Sequence, residues 1–190
     1  MNTTLVPRQL SAAERPRVLE HFLALSPEDR RLRFGTAKSD SSIRDYVAGI
    51  DFDADGIFGI HADSLELAGV GHVARFPDAA ELGVSVLSSH RGRGLGSALF
   101  ERAHLHASIR FLPVLYMHSL TENRVMMHIA RKSGMRIVSE SGEADAYLEL
   151  PRPDASSAMR ELVADRVALF DYAVKSQIAA AKRLGATLQK

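Results

Sequence analysis

The chain has 190 residues, 46% of them hydrophobic and 25% charged, with a formal net charge of +1. That length suits one domain with an appendage, and the charge balance excludes a global attraction to nucleic acid or anionic lipid. There are no cysteines, which excludes disulfides, thiolate metal sites and a cysteine nucleophile.

No apolar run approaches the ~20 residues that span a bilayer, and "MNTTLVPRQL" has no apolar leader segment. The expected location is therefore the cytoplasm, with no membrane partner.

In chain order, "LVPRQL" is a short strand candidate. "SAAERPRVLEHFLAL" carries Val18, Leu19, Phe22, Leu23 and Leu25 at helical spacing, with Ser11 as its start signal. Pro27 opens a short helix in "SPEDRRLRF", and "SDSSIRDYVAGI" is a third helical piece. "GIFGIHA", "LELAGVGHVARF" and "AELGVSVL" read as three strands at hairpin spacing. A glycine-rich turn follows, then "GSALFERAHLHASI" as a helix and "LPVLYMHS" as a buried strand. "ENRVMMHIARKSG" is a helix with basic residues in its last turn and Gly134 after it. "MRIVSE" and "AYLELP" close the sheet, "PRP" at 151–153 breaks the chain, and a helical tail runs from about 155 to 184.

The strand–helix–strand unit from Ala80 to Ser119 requires a right-handed crossover and parallel neighbours. The expected fold is α/β (α+β): a mixed, mostly antiparallel sheet with helices on both faces. The division is residues 1–152 as the domain and 153–190 as a helical extension.

The turn in "VSVLSSHRGRGLGSALF" decides the chemistry. No Lys follows the glycines, so it is not a P-loop. Counting six from Gly92 gives Ser97 and from Gly94 gives Leu99, so it is not a dinucleotide fingerprint either. What remains is R-x-x-G-x-G: Arg91, Gly94 and Gly96. Glycine allows the tight turn and close backbone approach. The amides of Arg93, Gly94, Leu95, Gly96 and Ser97 then face outward at a helix N-terminus, where the macrodipole favours an anion, and Ser97 adds its hydroxyl.

This turn resembles the acyl-CoA pyrophosphate loop of the GNAT superfamily of N-acetyltransferases, and the likeness extends over most of Leu5 to Leu150. It implies the GNAT fold, with a β-α-β acyl-CoA unit, and acetyl-CoA as cosubstrate. It also implies pantetheine contacts from the backbone of Val84 and Val86, and a CoA-facing Asn123 just inside the next helix. "LSPEDRRLRF", "AELGVSV" and "ENRVMMHIARKSGM" are similar to the catalytic domain of bacterial Pat-type protein-lysine acetyltransferases. In that family the Glu of "AE", here Glu81, is the general base.

Acetyl transfer to an amine needs a base, a polarised carbonyl and a fate for the thiolate. Without cysteine, direct attack by the amine in a ternary complex is the natural route. Alternation places Glu81, Gly83 and Ser85 on one strand face and Leu82, Val84 and Val86 on the other, leaving room for a substrate beside Glu81. The tyrosine that many GNAT enzymes carry seven residues after the Asn is replaced here by Ala130. For the thiolate, either bulk water or the helix dipole serves, or another group such as Tyr116, His118 or Ser119 near the end of the next strand. The acceptor is a protein lysine or a small-molecule amine; the competing class is a non-catalytic acyl-CoA-binding regulatory module.

"DFDADG" from Asp51 matches half of a calcium loop, but Ala62 stands where the bidentate Glu belongs, so it reads as a turn. His104 and His106 diverge on their helix, and no metal site is expected. "EDRRLRF" is either a solvated helix face or a contact for an acidic substrate. In the tail, Met159, Val163, Val167, Phe170, Val174, Ile178 and Ala181 make one apolar stripe, widened by Leu162, Leu169 and Ala173. Such a stripe must be buried, against the chain's own sheet or, as favoured here, in a homodimer.

Overall fold

The computed structural model describes residues 5–151 and 155–187. Short β1 (Arg8–Gln9) leads through a tight turn into α1 (Arg15–Leu23), α2 (Pro27–Phe34) and α3 (Asp40–Ala48). The strands β2 (Gly56–His61), β3 (Leu67–Arg75) and β4 (Ala80–Val86) form an antiparallel meander. Helix α4 (Leu95–Ile109) crosses to β5 (Val114–Leu120), then come α5 (Arg124–Lys132), β6 (Arg136–Glu140), β7 (Glu143–Glu149) and α6 (Ala155–Thr187). The sheet has seven strands in the order β1-β2-β3-β4-β5-β7-β6. The boundary expected at 152–153 lies outside the described residues.

The first helix begins later than Ser11. Ala12–Glu14 is a single 3₁₀ turn, and α1 starts at Arg15. Pro16 lacks an N–H and clashes with the carbonyl four residues back, so the α-helical ladder cannot run through it.

Two cores flank the sheet. On one face Leu82, Val84, Leu95, Leu99, Phe100 and Leu115 pack beneath α4 and α5. On the other, Val18, Phe22, Ile43, Val47 and Val70 join α1 and α3 to β2 and β3.

The meander and the crossover meet at β4 and β5, which run parallel but pair only at Ala80↔Leu115 and Glu81↔Tyr116. Beyond Glu81 the strands diverge, and the edge of β4 from Leu82 to Val86 has no strand partner on that side among the described residues. An unpaired strand edge at the centre of a sheet is a row of free backbone donors and acceptors.

Helix α6 docks on the core, but not through its apolar stripe. Glu161, Asp165, Ala168, Tyr172 and Lys175 recur on the docked face. Arg102 of α4 donates to Glu161 at 2.9 Å and to Asp165 at 2.6 Å. Arg17 donates to the Tyr172 hydroxyl at 2.7 Å, and Lys175 donates to the His61 carbonyl at 2.9 Å. Ala168 is buried at the close approach. The stripe expected to be covered stays exposed in the monomer: Val167 is 44% exposed, Phe170 72% and Val174 39%. The core presents charged and polar partners to this helix, so its polar face docks. The side chain of Ala181 lies outside the described residues. No helix among the described residues is long and apolar enough to cross a membrane.

Candidate active site

The turn before α4 has the conformation its glycines demand. Gly92 sits at φ +73° and Gly94 at φ +85°, both left-handed, where an L side chain is strained. Gly94 is the N-cap of α4, so the first amides of that helix have no intrahelical partner and face outward. Gly96 serves a different end. A β-carbon there would meet Ile129 Cδ1 at 3.0 Å, so this glycine lets α4 pack against α5.

These amides open onto a cavity of about 530 Å³ between β4, the turn and α5. Val84, Val86, Arg91, Gly94, Leu95, Gly96, Ser97 and Asn123 all line it. Of the binding residues expected from sequence, Arg93 is the exception: it is exposed, donates to the Ser89 carbonyl at 3.4 Å and does not line the cavity.

Arg91 is tied down rather than free. It donates to Asp29 of α2 and, at 3.3 Å, to the Val86 carbonyl. Asn123 is the N-cap of α5 rather than its first residue. Its side-chain oxygen accepts from Met126 N at 3.2 Å while Nδ2 donates to the Leu32 carbonyl at 3.4 Å. His90, Val125, Met126 and His128 also line the cavity, positions that no local motif marks.

The free β4 edge runs from this cavity towards Glu81, about 10 Å from Val84 and about 16 Å from Val86 at ~3.3 Å per strand residue. Left-handed glycines, outward amides, an open cleft and an unpaired strand edge together fit an acyl-CoA: phosphate at the helix start, amide-bearing arm along the strand.

Glu81 lies at the fork of β4 and β5, outside the residues that line the cavity. Its charge reaches Tyr46, His72 and Tyr116. The room expected beside it on the small-residue face is partly filled. Arg33 of α2 covers Gly83, and His21 of α1 contacts Ser85 at 2.7 Å. Helices from outside the motif reach over these small residues because nothing larger than a hydroxymethyl holds them off.

Tyr116 donates to Asp145 at 2.8 Å, and burial with that carboxylate raises its pKa. His118 Nδ1 is 2.8 Å from the same oxygen. Ser119 is buried and donates to the Leu120 carbonyl at 3.4 Å. Ala130 is wholly buried, so no side chain reaches the cleft from the position of the usual tyrosine.

Residues 23–135 match the model of the acetyltransferase (GNAT) family. The chain belongs to that family. It is therefore an acetyl-CoA-dependent N-acetyltransferase, transferring an acetyl group to an amine. No curated protein sequence matches it. Its fold is similar to that of the GNAT domain of S. lividans PAT, with 21% identity, a TM-score of 0.64, and 76% of this chain and 89% of that one covered. It is also similar to spermidine N-acetyltransferase from Vibrio cholerae in complex with CoA and spermine, with 19% identity, a TM-score of 0.60, and 77% and 96% covered. For yncA from Salmonella typhimurium with acetyl-CoA, the values are 14%, 0.60, 80% and 99%. At these identities the likeness is one of fold.

Proposed function

We propose that this acetyltransferase seats the CoA pyrophosphate on the amides of Arg93 to Ser97, with the Ser97 hydroxyl adding a bond. The pantetheine lies along the β4 edge at Val84 and Val86, and Asn123 and Arg91 hold the walls. The thioester then arrives near the fork of the sheet, where Glu81 takes a proton from the acceptor ammonium, through water. The free amine attacks the acetyl carbon directly: the C–N bond forms, the C–S bond breaks, the nitrogen gives its second proton to solvent, and the thiolate takes a proton from solvent.

The observation that supports this reading is the divergence of β4 from β5 directly past Glu81, the last paired residue before the strands separate. The acceptor is a primary amine, on a protein lysine or a small molecule. Thiol release from acetyl-CoA in the presence of amines tests it; with no cysteine in the chain, every thiol detected comes from CoA. Binding of acetyl-CoA without thiol release from any amine would make the protein a non-catalytic acyl-CoA module instead.

The exposed stripe of α6 supports a second element of the proposal. Val167, Phe170 and Val174 lie on a helix roughly 50 Å long, facing away from the core. A second copy offers the same stripe, which makes an isologous homodimer the partner that covers it.

A further inference from the structure

Of the three arginines in "EDRRLRF", two have structural or surface partners. Arg30 is buried against the carbonyls of Leu23, Leu25 and Lys38 and pairs with Asp40. Arg31 pairs with Glu28 and Glu122 at the surface. Arg33 differs. It lines the cleft, and its guanidinium rests on the β4 backbone: a β-carbon on Gly83 would fall 1.9 Å from its Cζ.

Among the described residues no carboxylate lies within 4.0 Å of Arg33, and its Nε is buried without a partner. A half-buried cation with an unmet donor and no counter-ion is unfavourable unless a ligand supplies the anion.

The guanidinium is nonetheless held in place. Arg33 Nη2 donates to the Tyr46 hydroxyl at 3.1 Å. Tyr46 donates to His72 Nδ1 at 2.6 Å, and His72 Nε2 donates to Asp55 at 3.0 Å. Asp55 is itself fixed by the Arg75 amide at 3.0 Å. Every proton in this chain points away from Arg33. Burial lowers the pKa of His72 and raises that of Tyr46, so both stay neutral at pH 7 and satisfy the chain without cancelling the charge of Arg33. The Arg33 side chain also lies over the rings of Phe34, at 4.8 Å, and Tyr46, at 6.0 Å.

Gly83 and Glu81 are two residues apart on one strand face, about 6.6 Å at ~3.3 Å per residue. The fork therefore carries both signs of charge: Arg33 of α2 over Gly83, and Glu81 of β4 paired opposite Tyr116, whose hydroxyl donates to Asp145.

We propose that Arg33 is the acceptor-carboxylate clamp of this enzyme, and that the acceptor is an amino acid. Its carboxylate sits on Arg33, over Gly83, while its amine, a few bonds away, meets Glu81. A lysine within a protein has no carboxylate so close to its amine. This rests on the transferase reading above, since it places the acceptor at the Glu81 fork.

The test is calorimetry on the full chain saturated with CoA. It is titrated with a panel of L-amino acids, with the α-amide of each, and with a lysine peptide blocked at both ends; thiol release from acetyl-CoA is run in parallel. The acids should bind at least about tenfold more tightly than their amides, the worth of one charge-assisted pair. Arg33→Gln should bring acid and amide within about twofold of each other. Tyr46→Phe keeps the guanidinium but frees it; it should raise KM for acids severalfold with kcat little changed, and leave KM for amides unmoved.

Amides or the blocked peptide binding as tightly as the acids would overturn the proposal while thiol release upheld the transferase. Arg33→Gln weakening acetyl-CoA instead of the acids would also overturn it, assigning Arg33 to the cosubstrate. Acids that bind through Arg33 without thiol release from any amine would uphold the clamp and defeat the catalytic reading.

Discussion

Nε2 of His21 lies 2.7 Å from Oγ of Ser85, and its Nδ1 lies 2.6 Å from the Leu67 carbonyl. A carbonyl only accepts, so the proton is on Nδ1 and Nε2 accepts from the serine. The contact pins α1 to the inner end of the cleft. Burial pushes the His21 pKa down from 6.5 to about 4. The unfolded chain therefore binds the extra proton between those two values. Stability rises with pH across that window and is lost as pH falls through it, by on the order of 3 kcal/mol from His21 alone. His61, lowered to about 4 mainly by burial, acts in the same direction. Urea unfolding at pH 7 and pH 4.5 should show the drop, and His21→Gln should reduce it, leaving the part that His61 contributes. A stability unchanged between the two pH values would contradict the buried neutral imidazole.

Glu81→Gln keeps the size of the side chain and removes the base. Turnover at saturating acceptor should fall by about 10²–10⁴ while acetyl-CoA binding survives. A fall of less than about threefold at pH 7 would remove Glu81 from the chemistry.

Arg102 is 4% exposed and divides its charge between Glu161 and Asp165. Glu161→Leu leaves that guanidinium short of a partner and should cost about 2 kcal/mol or more in urea unfolding. An unchanged midpoint would mean that α6 is held by other contacts.

Phe170→Glu places a charge on the exposed stripe without touching the docked face. Light scattering should find the wild type dimeric at tens of micromolar and this variant monomeric, with acetyl-CoA binding intact. Truncation after Pro153 should also give a monomer that binds acetyl-CoA, with lower stability. A monomeric wild type would rule out the dimer.

The parts of the site that were legible in sequence are the local ones. Gly94 and its neighbours announce a left-handed turn into a helix, and "AELGVSV" announces a strand before it, because φ preference and alternation act over a few residues. Arg33 could be flagged only as part of a basic run. Its seat on Gly83 spans 50 positions of sequence and depends on α2 crossing β4. Asp55 looked like part of a turn, and Asp51 does make that turn through the amides of Asp53 and Ala54; the role of Asp55 with His72 needs β3 beside it. The α6 stripe was visible as a period, but a period does not say which face docks. Arg17, Arg102 and the His61 carbonyl decide that, and each comes from a different element.

The central claim is that the amides at the start of α4 hold the phosphates of acetyl-CoA. Gly94→Val forces a β-branched side chain into a backbone at φ +85°, a strain of about 1–2 kcal/mol that reshapes the turn and blocks close approach. Calorimetry should find acetyl-CoA binding to the wild type and none to the variant, with circular dichroism showing that the variant keeps its fold. A folded Gly94→Val protein with wild-type affinity for acetyl-CoA would contradict the account.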